Sequence, residues 1–194
     1  IHHVCEKVVY DDKIDLLSEF NSKFLDELKL LKEKKVELNQ DLISKMRIQI
    51  KNITHHILPS LKSYFLQDFE IVSVEEDLMM PIEDTDLMFK GFIDLVIKTP
   101  DDKYHIIDWK SCSWGWDSKK KADRMTTYQL TLYKHFFAQK HNLDISNIET
   151  HFALLKRTAK SNNVELFRVT SGAKKTENAL NLLNKAIYNI TRDK

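Results

Sequence analysis

Apolar residues recur at helical spacing along the first third of the chain. Leu16, Leu17, Phe20, Phe24, Leu28 and Leu31 predict an amphipathic helix over residues 13–35. Asn39-Gln40-Asp41 reads as the cap of a second helix, whose stripe is Leu42, Met46, Ile50, Ile53, Ile57, Leu61 and Phe65. Pro59 is expected to break or kink that helix near its C-terminal end. Strands follow over roughly 69–80, 87–98 and 103–110, then a helix over 121–141. Two further strands are expected over 148–157 and 163–170, with a last helix over 174–191. A helical part of about residues 1–66 and a sheet part of about 67–194 predict an α/β fold. Its centre is a mixed sheet flanked by helices, in one domain without repeat or linker.

Composition adds bounds. With 194 residues and 42% hydrophobic content, the chain suits one domain with a normal core. Only three Gly and three Pro speak against a loop-rich or disordered protein. A net charge of +1 predicts no partner, but the halves differ. Residues 1–100 carry 13 Lys/Arg against 19 Asp/Glu, net −6; residues 101–194 carry 17 against 10, net +7. The second half could thus build a basic surface suited to phosphate backbones, or its charges could be spread over solvated helices. Cys5 and Cys112 are too few for an iron–sulfur cluster, which takes four thiolates, so none is expected. They also give no disulfide framework, which suits a reducing cytoplasm. No signal-peptide pattern and no apolar run approaching about 18 residues is present, so no membrane partner is expected.

The candidate chemistry lies between Gly91 and Ser111, in GFIDLVIKTPDDKYHIIDWKS. Thr99-Pro100-Asp101-Asp102-Lys103 carries turn residues between two β-rich runs. If these five form the loop, Lys98 pairs with Tyr104 and Asp94 falls opposite Asp108. A loop of even length would shift the register by one and send Asp94 to the other face. Alternation keeps Asp108 and Lys110 on one face and turns Trp109 to the opposite one. Carboxylates directly across a strand pair repel. Two of them beside an ammonium make a poor structural device but a good divalent-metal site. The bland alternative is a solvated hairpin edge. Against it, the neighbours Ile93, Leu95, Ile106 and Ile107 are core-type residues, and polar groups among them need partners.

These residues resemble the core of the PD-(D/E)xK nuclease superfamily, specifically its RecB-like exonuclease branch, with members encoded by phages. That branch carries G-x-I-D, then I-D-x-K-[ST], then Q-L-x-x-Y on a helix. Here stand Gly91-Phe92-Ile93-Asp94, Ile107-Asp108-Trp109-Lys110-Ser111 and Gln129-Leu130-Thr131-Leu132-Tyr133. The opening Ile1-His2-His3-Val4-Cys5-Glu6 resembles the end of the branch's upstream histidine motif, although the glycine that would precede it is absent. The run HFALLKRTAK resembles phage-encoded members less specifically. The chain begins without Met, so a longer parent protein is expected.

The resemblance implies a restriction-endonuclease-like core and phosphodiester hydrolysis. Asp94 and Asp108 would ligate Mg²⁺ or Mn²⁺, with the backbone carbonyl of Trp109 and the imidazole of His2 completing the set. Lys110 would orient or deprotonate the attacking water, its plain alternative being a salt bridge to an aspartate. Gln129, Tyr133, Ser111 and Lys156 would contact substrate. Taken alone, Gln129 and Tyr133 are an ordinary pair four residues apart on a helix, and Lys156 and Lys160 could equally be solvated. The expected partner is DNA, as single strands or duplex ends, in the cytoplasm of a cell or of a phage host. Fused or associated replication and recombination proteins are further candidates.

Other residues leave choices open. Trp114 and Trp116 beside Lys119-Lys120-Lys121 and Arg124 either stack on bases or cap the core. His55 and His56 are rival ligands to His2, with a structural role as the default. Glu75 and Glu76 could join the acidic cluster. The long N-terminal helices could form an arch or a packed flank. The favoured reading is a metal-dependent DNA exonuclease. A structure-specific or restriction-like endonuclease is the enzyme alternative, and a catalytically inactive DNA-binding module the alternative from another class.

Overall fold

The first described element is α1 (His2–Tyr10). Asp15 then accepts hydrogen bonds from the N–H groups of Leu17 and Ser18, both at 3.1 Å, and so starts α2 (Leu16–Glu33). Asn39 caps α3 (Gln40–Thr54) through the Leu42 N–H at 2.9 Å, as its sequence predicts. The computed structural model describes residues 2–10 and 14–192, so residue 13 of the first expected helix lies outside the described residues. The apolar stripe that begins at Leu42 does not make one helix with a late kink. It breaks at His55-His56, and α4 (Ile57–Phe65) follows. The cause is Pro59. A proline ring clashes with the carbonyl four residues earlier, here that of His55. Pro59 itself sits in the first turn of α4, where its missing N–H costs nothing.

Five strands form one sheet in the order β1 (Glu70–Pro81), β2 (Met88–Lys98), β3 (Tyr104–Cys112), β4 (Ile148–Lys156), β5 (Val164–Val169). β2 and β3 are antiparallel, with Lys98 opposite Tyr104, Ile97 opposite His105, Val96 opposite Ile106 and Leu95 opposite Ile107. The five-residue loop is real. Its ends close through Thr99 N–H to Lys103 O at 3.0 Å, and Asp102 takes a left-handed φ of 61°. β3 and β4 run in the same direction: His105 meets His151 near their starts, and Arg157 N–H donates to Cys112 O at their ends, at 2.8 Å. Such a pair needs a crossover, and α5 (Ser118–Lys121) and α6 (Arg124–His141) supply it. The helix expected over 121–141 is α6, which starts three residues later, with α5 as a separate short helix before it. Asp123 accepts from Thr126 N–H at 2.9 Å and starts α6 afresh. α7 (Ala173–Thr191) closes the described chain, and the sheet is mixed.

The chain divides into two compact units. The first comprises Ile1–Ile71, Trp109–Gly115 and Ala153–Leu166; the second Val72–Asp108, Trp116–Phe152 and Phe167–Lys194. In the first, α1 packs on α2 and α4, and α2 on α3, around Val4, Cys5, Phe20, Ile53, Ile57 and Leu61. In the second, α6 packs on α7, and the core gathers Leu78, Leu95, Ile97, Ile106, Leu130 and Phe137. Among the described residues, no helix is long and apolar enough to cross a membrane.

Candidate active site

Asp94 and Asp108 are the next residues beyond the Leu95–Ile107 pair, one on each strand. Alternation assigns both to the face that carries Val96, Ile106, Lys98 and Tyr104. The Lys98 ammonium lies 5.4 Å from the centre of the Tyr104 ring, consistent with a shared face. Asp108 is only 2% exposed, while Asp94 and Lys110 are half-buried. Lys110 is two positions past Asp108 on β3 and belongs to the same strand face. Trp109 points the other way, its indole buried.

α6 covers this face. The rings of Phe137 and Tyr104 lie 6.2 Å apart. Phe137, Tyr133 and Gln129 are spaced by four, so they form one stripe along the helix. As the return limb of a crossover, α6 runs against β3. Eight residues back along the helix from Phe137 is about 12 Å; four residues forward from Tyr104 along β3 is about 13 Å. Gln129 thus lies about as far along α6 from Phe137 as Asp108 lies along β3 from Tyr104. Gln129 Nε2 donates to Tyr133 Oη at 3.1 Å, which holds the amide in place. A Cβ at Gly91 would lie 2.7 Å from Cε1 of Tyr133. Glycine at the head of the Gly91-Phe92-Ile93-Asp94 run is thus what lets the Tyr133 ring approach β2.

The other singled-out residues each have their own setting. His2 is half-buried in α1, in the first unit. Glu6, four residues later, is engaged by His3 at 3.5 Å. Ser111 is exposed near the end of β3. Lys156 is buried, 6% exposed, and pairs with Glu165 at 2.9 Å, so it is not a solvated lysine; Lys160 is exposed. His55 and His56 are exposed at the α3–α4 junction. Glu75 is exposed, with a left-handed φ of 50°.

Glu76 is instead buried and clamped by Ser73, by Lys140 at 2.9 Å and by His141 at 2.5 Å. Burial alone would raise its pKa, but the hydrogen bonds from Ser73, His141 and Lys140 outweigh it and hold the carboxyl below its usual range. The two tryptophans part company. Trp116 packs on Phe152 and Phe167 beneath the Lys120 ammonium, whereas Trp114 is 71% exposed.

Two carboxylates at adjacent ladder ends offer hard oxygen donors, the chemistry that Mg²⁺ and Mn²⁺ take. The donor set fits such an ion. The sequence matches the PD-(D/E)XK nuclease superfamily over residues 4–193, and the chain belongs to that superfamily. No curated protein matches it. Among solved structures it is similar to an Eubacterium rectale protein described as a candidate exonuclease, with 15% identity and a TM-score of 0.51. That likeness, one of fold, covers 91% of this chain and 65% of the other. A protein called SSO0001 is also similar, with 13% identity and a TM-score of 0.46, covering 87% of this chain and 86% of that one.

Proposed function

We propose that the chain is a divalent-metal-dependent DNA exonuclease whose site is Asp94, Asp108 and Lys110. The carrying observation is the register: the five-residue turn leaves the two aspartates flanking one paired couple, Leu95 and Ile107. A bound Mg²⁺ or Mn²⁺ would polarise the scissile phosphodiester and acidify its water. Asp94 and Asp108 hold the ion, with the Trp109 carbonyl and His2 as the further ligands that the resemblance suggests. Lys110 orients the attacking water and neutralises charge that develops on the phosphoryl oxygens. Gln129, fixed by Tyr133, donates to the water or to a phosphate oxygen. Ser111 and Lys156 are the remaining substrate contacts proposed, Lys156 by exchanging Glu165 for a phosphate. Membership of the nuclease superfamily and the fold shared with the Eubacterium rectale protein support this reading.

The test is timed digestion of end-labelled linear DNA and of a closed circle, with Mn²⁺, Mg²⁺ or EDTA. Metal-dependent loss of the linear substrate alone is expected, abolished in Lys110→Ala and Asp108→Ala. Cutting of the circle would make the protein an endonuclease. DNA binding with no cleavage of either would make it a binding module and overturn the mechanism.

A further inference from the structure

The opposite face of β3 holds a second cluster that the nuclease reading leaves unused. His105 Nδ1 lies 3.0 Å from Nε2 of His151 on β4. Glu149, two residues before His151, brings Oε2 to 4.0 Å from the same Nδ1. One donor atom from each of the three side chains lies within 4.8 Å of the others. A tetrahedral ion with metal–nitrogen bonds of about 2.0–2.1 Å holds its donors about 3.3 Å apart. Without any ion, the imidazole pair is already close to that spacing.

The hydrogen bonds around His105 set it up as a ligand. Its Nε2 is 3.0 Å from Thr99 Oγ1, and that hydroxyl donates its one hydrogen to Asp101 Oδ1 at 2.5 Å. Thr99 must therefore accept from His105, which carries its proton on Nε2 and keeps a lone pair on Nδ1. His151 Nε2–H donates to that lone pair. A partner on the far ring nitrogen is what fixes tautomer and orientation in histidine metal sites. Burial also keeps protons from competing. It drives His151 down to about 3, helped by the neighbouring His105 and Arg168. It lowers His105 as well, against the pull of Glu149 and Asp101. Both imidazoles are neutral at pH 7. Glu149, meanwhile, pairs with Lys103 at 3.4 Å and with Arg168 at 3.1 Å.

We propose that His105 Nδ1, His151 Nε2 and a carboxylate oxygen of Glu149 form a second metal site, for Zn²⁺ or a similar borderline transition ion, on the sheet face opposite Asp94 and Asp108. Two imidazoles and one carboxylate select such an ion over Mg²⁺. His151 shifts its proton from Nε2 to Nδ1 as the ion enters, so no net proton is lost from the pair. Lys103 and Arg168 both hold Oε1 of Glu149, which leaves Oε2, the oxygen toward His105, for the ion; the two cations weaken the site relative to one without them. Two nearly buried ligands make it a clamp between β3 and β4, with entry from the Glu149 side.

The experiment uses untagged, EDTA-treated protein carrying Asp94→Asn and Asp108→Asn, titrated with Co²⁺ as a visible probe. One Co²⁺ per chain is expected, with tetrahedral absorption bands that Zn²⁺ abolishes by displacement. Adding His151→Gln should weaken binding more than about 100-fold, beyond the about 10–100-fold that outer partners are worth. Thr99→Val, which spares all three ligands, should weaken it by about 10–100-fold. Far-UV circular dichroism checks that each variant folds. If His151→Gln does not fold, Thr99→Val and Glu149→Gln decide. No Co²⁺ bound by the doubly substituted parent, or unchanged affinity in folded Glu149→Gln and Thr99→Val proteins, would overturn the proposal.

Discussion

One face of β3 carries His105, Ile107 and Trp109; the other carries Ile106, Asp108 and Lys110. Both faces bury ionisable groups, and they meet the cost of burial differently. Imidazoles can give up their charge, and the His105–His151 pair does so, joined by a hydrogen bond and closed by Thr99. The Asp94–Asp108 face has carboxylates at adjacent ladder ends, a lysine two residues on, and a helix stripe ending in Gln129. Carboxylates on neighbouring strands repel, and a cation beside them offsets that repulsion. The neutral imidazole pair is hydrogen-bonded before any ion arrives, whereas a pair of carboxylates calls for a cation to offset its charge.

The largest effect should come from removing charge on the aspartate face. Asp108→Asn and Lys110→Ala should each lower kcat/KM on DNA by about 10³-fold or more, the several kcal/mol that metal-assisted charge stabilisation supplies. Steady-state digestion of labelled DNA measures this, and a loss under about tenfold would break the contrast between the faces.

Next comes the seat of α6 on β2. Gly91→Ala pushes a methyl group to 2.7 Å from the Tyr133 ring. Overpacking of this kind should cost about 1–3 kcal/mol in urea denaturation. Adding Tyr133→Ala should make the pair less than additive, because the clash is then gone.

Glu76 is a carboxylate kept charged by cations away from the candidate site, and it sharpens the rule. Its ordinary value is 4.5 and folding lowers it. As pH falls the unfolded chain takes up the proton first. The stability Glu76 contributes is therefore complete above about 4.5 and lost as pH drops through the folded value. Urea midpoints at pH 7 and pH 3 should differ less in Glu76→Gln than in the wild type. Smallest of all, Tyr133→Phe removes the acceptor of the Gln129 amide. About 0.5–1.5 kcal/mol of stability should go with it, readable as a modest shift in the urea midpoint.

The β2–β3 register was legible because turn residues mark both ends of an odd-length loop. The apolar stripes likewise gave the helices. Their ends were harder to read. α2 and α4 stop at Lys35 and Leu66 in left-handed conformations, with φ of 57° and 54°, where no glycine announces the turn. Asp123 looked like an interior helix residue because a cap differs from one only through the bond it makes. Lys156 read as either a phosphate contact or a solvated residue because its partner, Glu165, faces it only once the hairpin between β4 and β5 has formed. The His105–Glu149–His151 cluster was missed altogether. Glu149 and His151 alternate on one strand face, which is a readable hint. His105 joins them only through the parallel register of β3 and β4, set by a crossover that local periodicity does not encode. Trp114 and Trp116 stand two residues apart in one short loop, yet only Trp116 packs on the aromatic core.

The most direct test of the central claim is the anomalous scattering of a crystal grown with Mn²⁺. A peak about 2.0–2.6 Å from carboxylate oxygens of both Asp94 and Asp108, lost in Asp108→Asn crystals, is predicted. Bound Mn²⁺ touching neither aspartate, or no ion there at saturating Mn²⁺, would contradict the account.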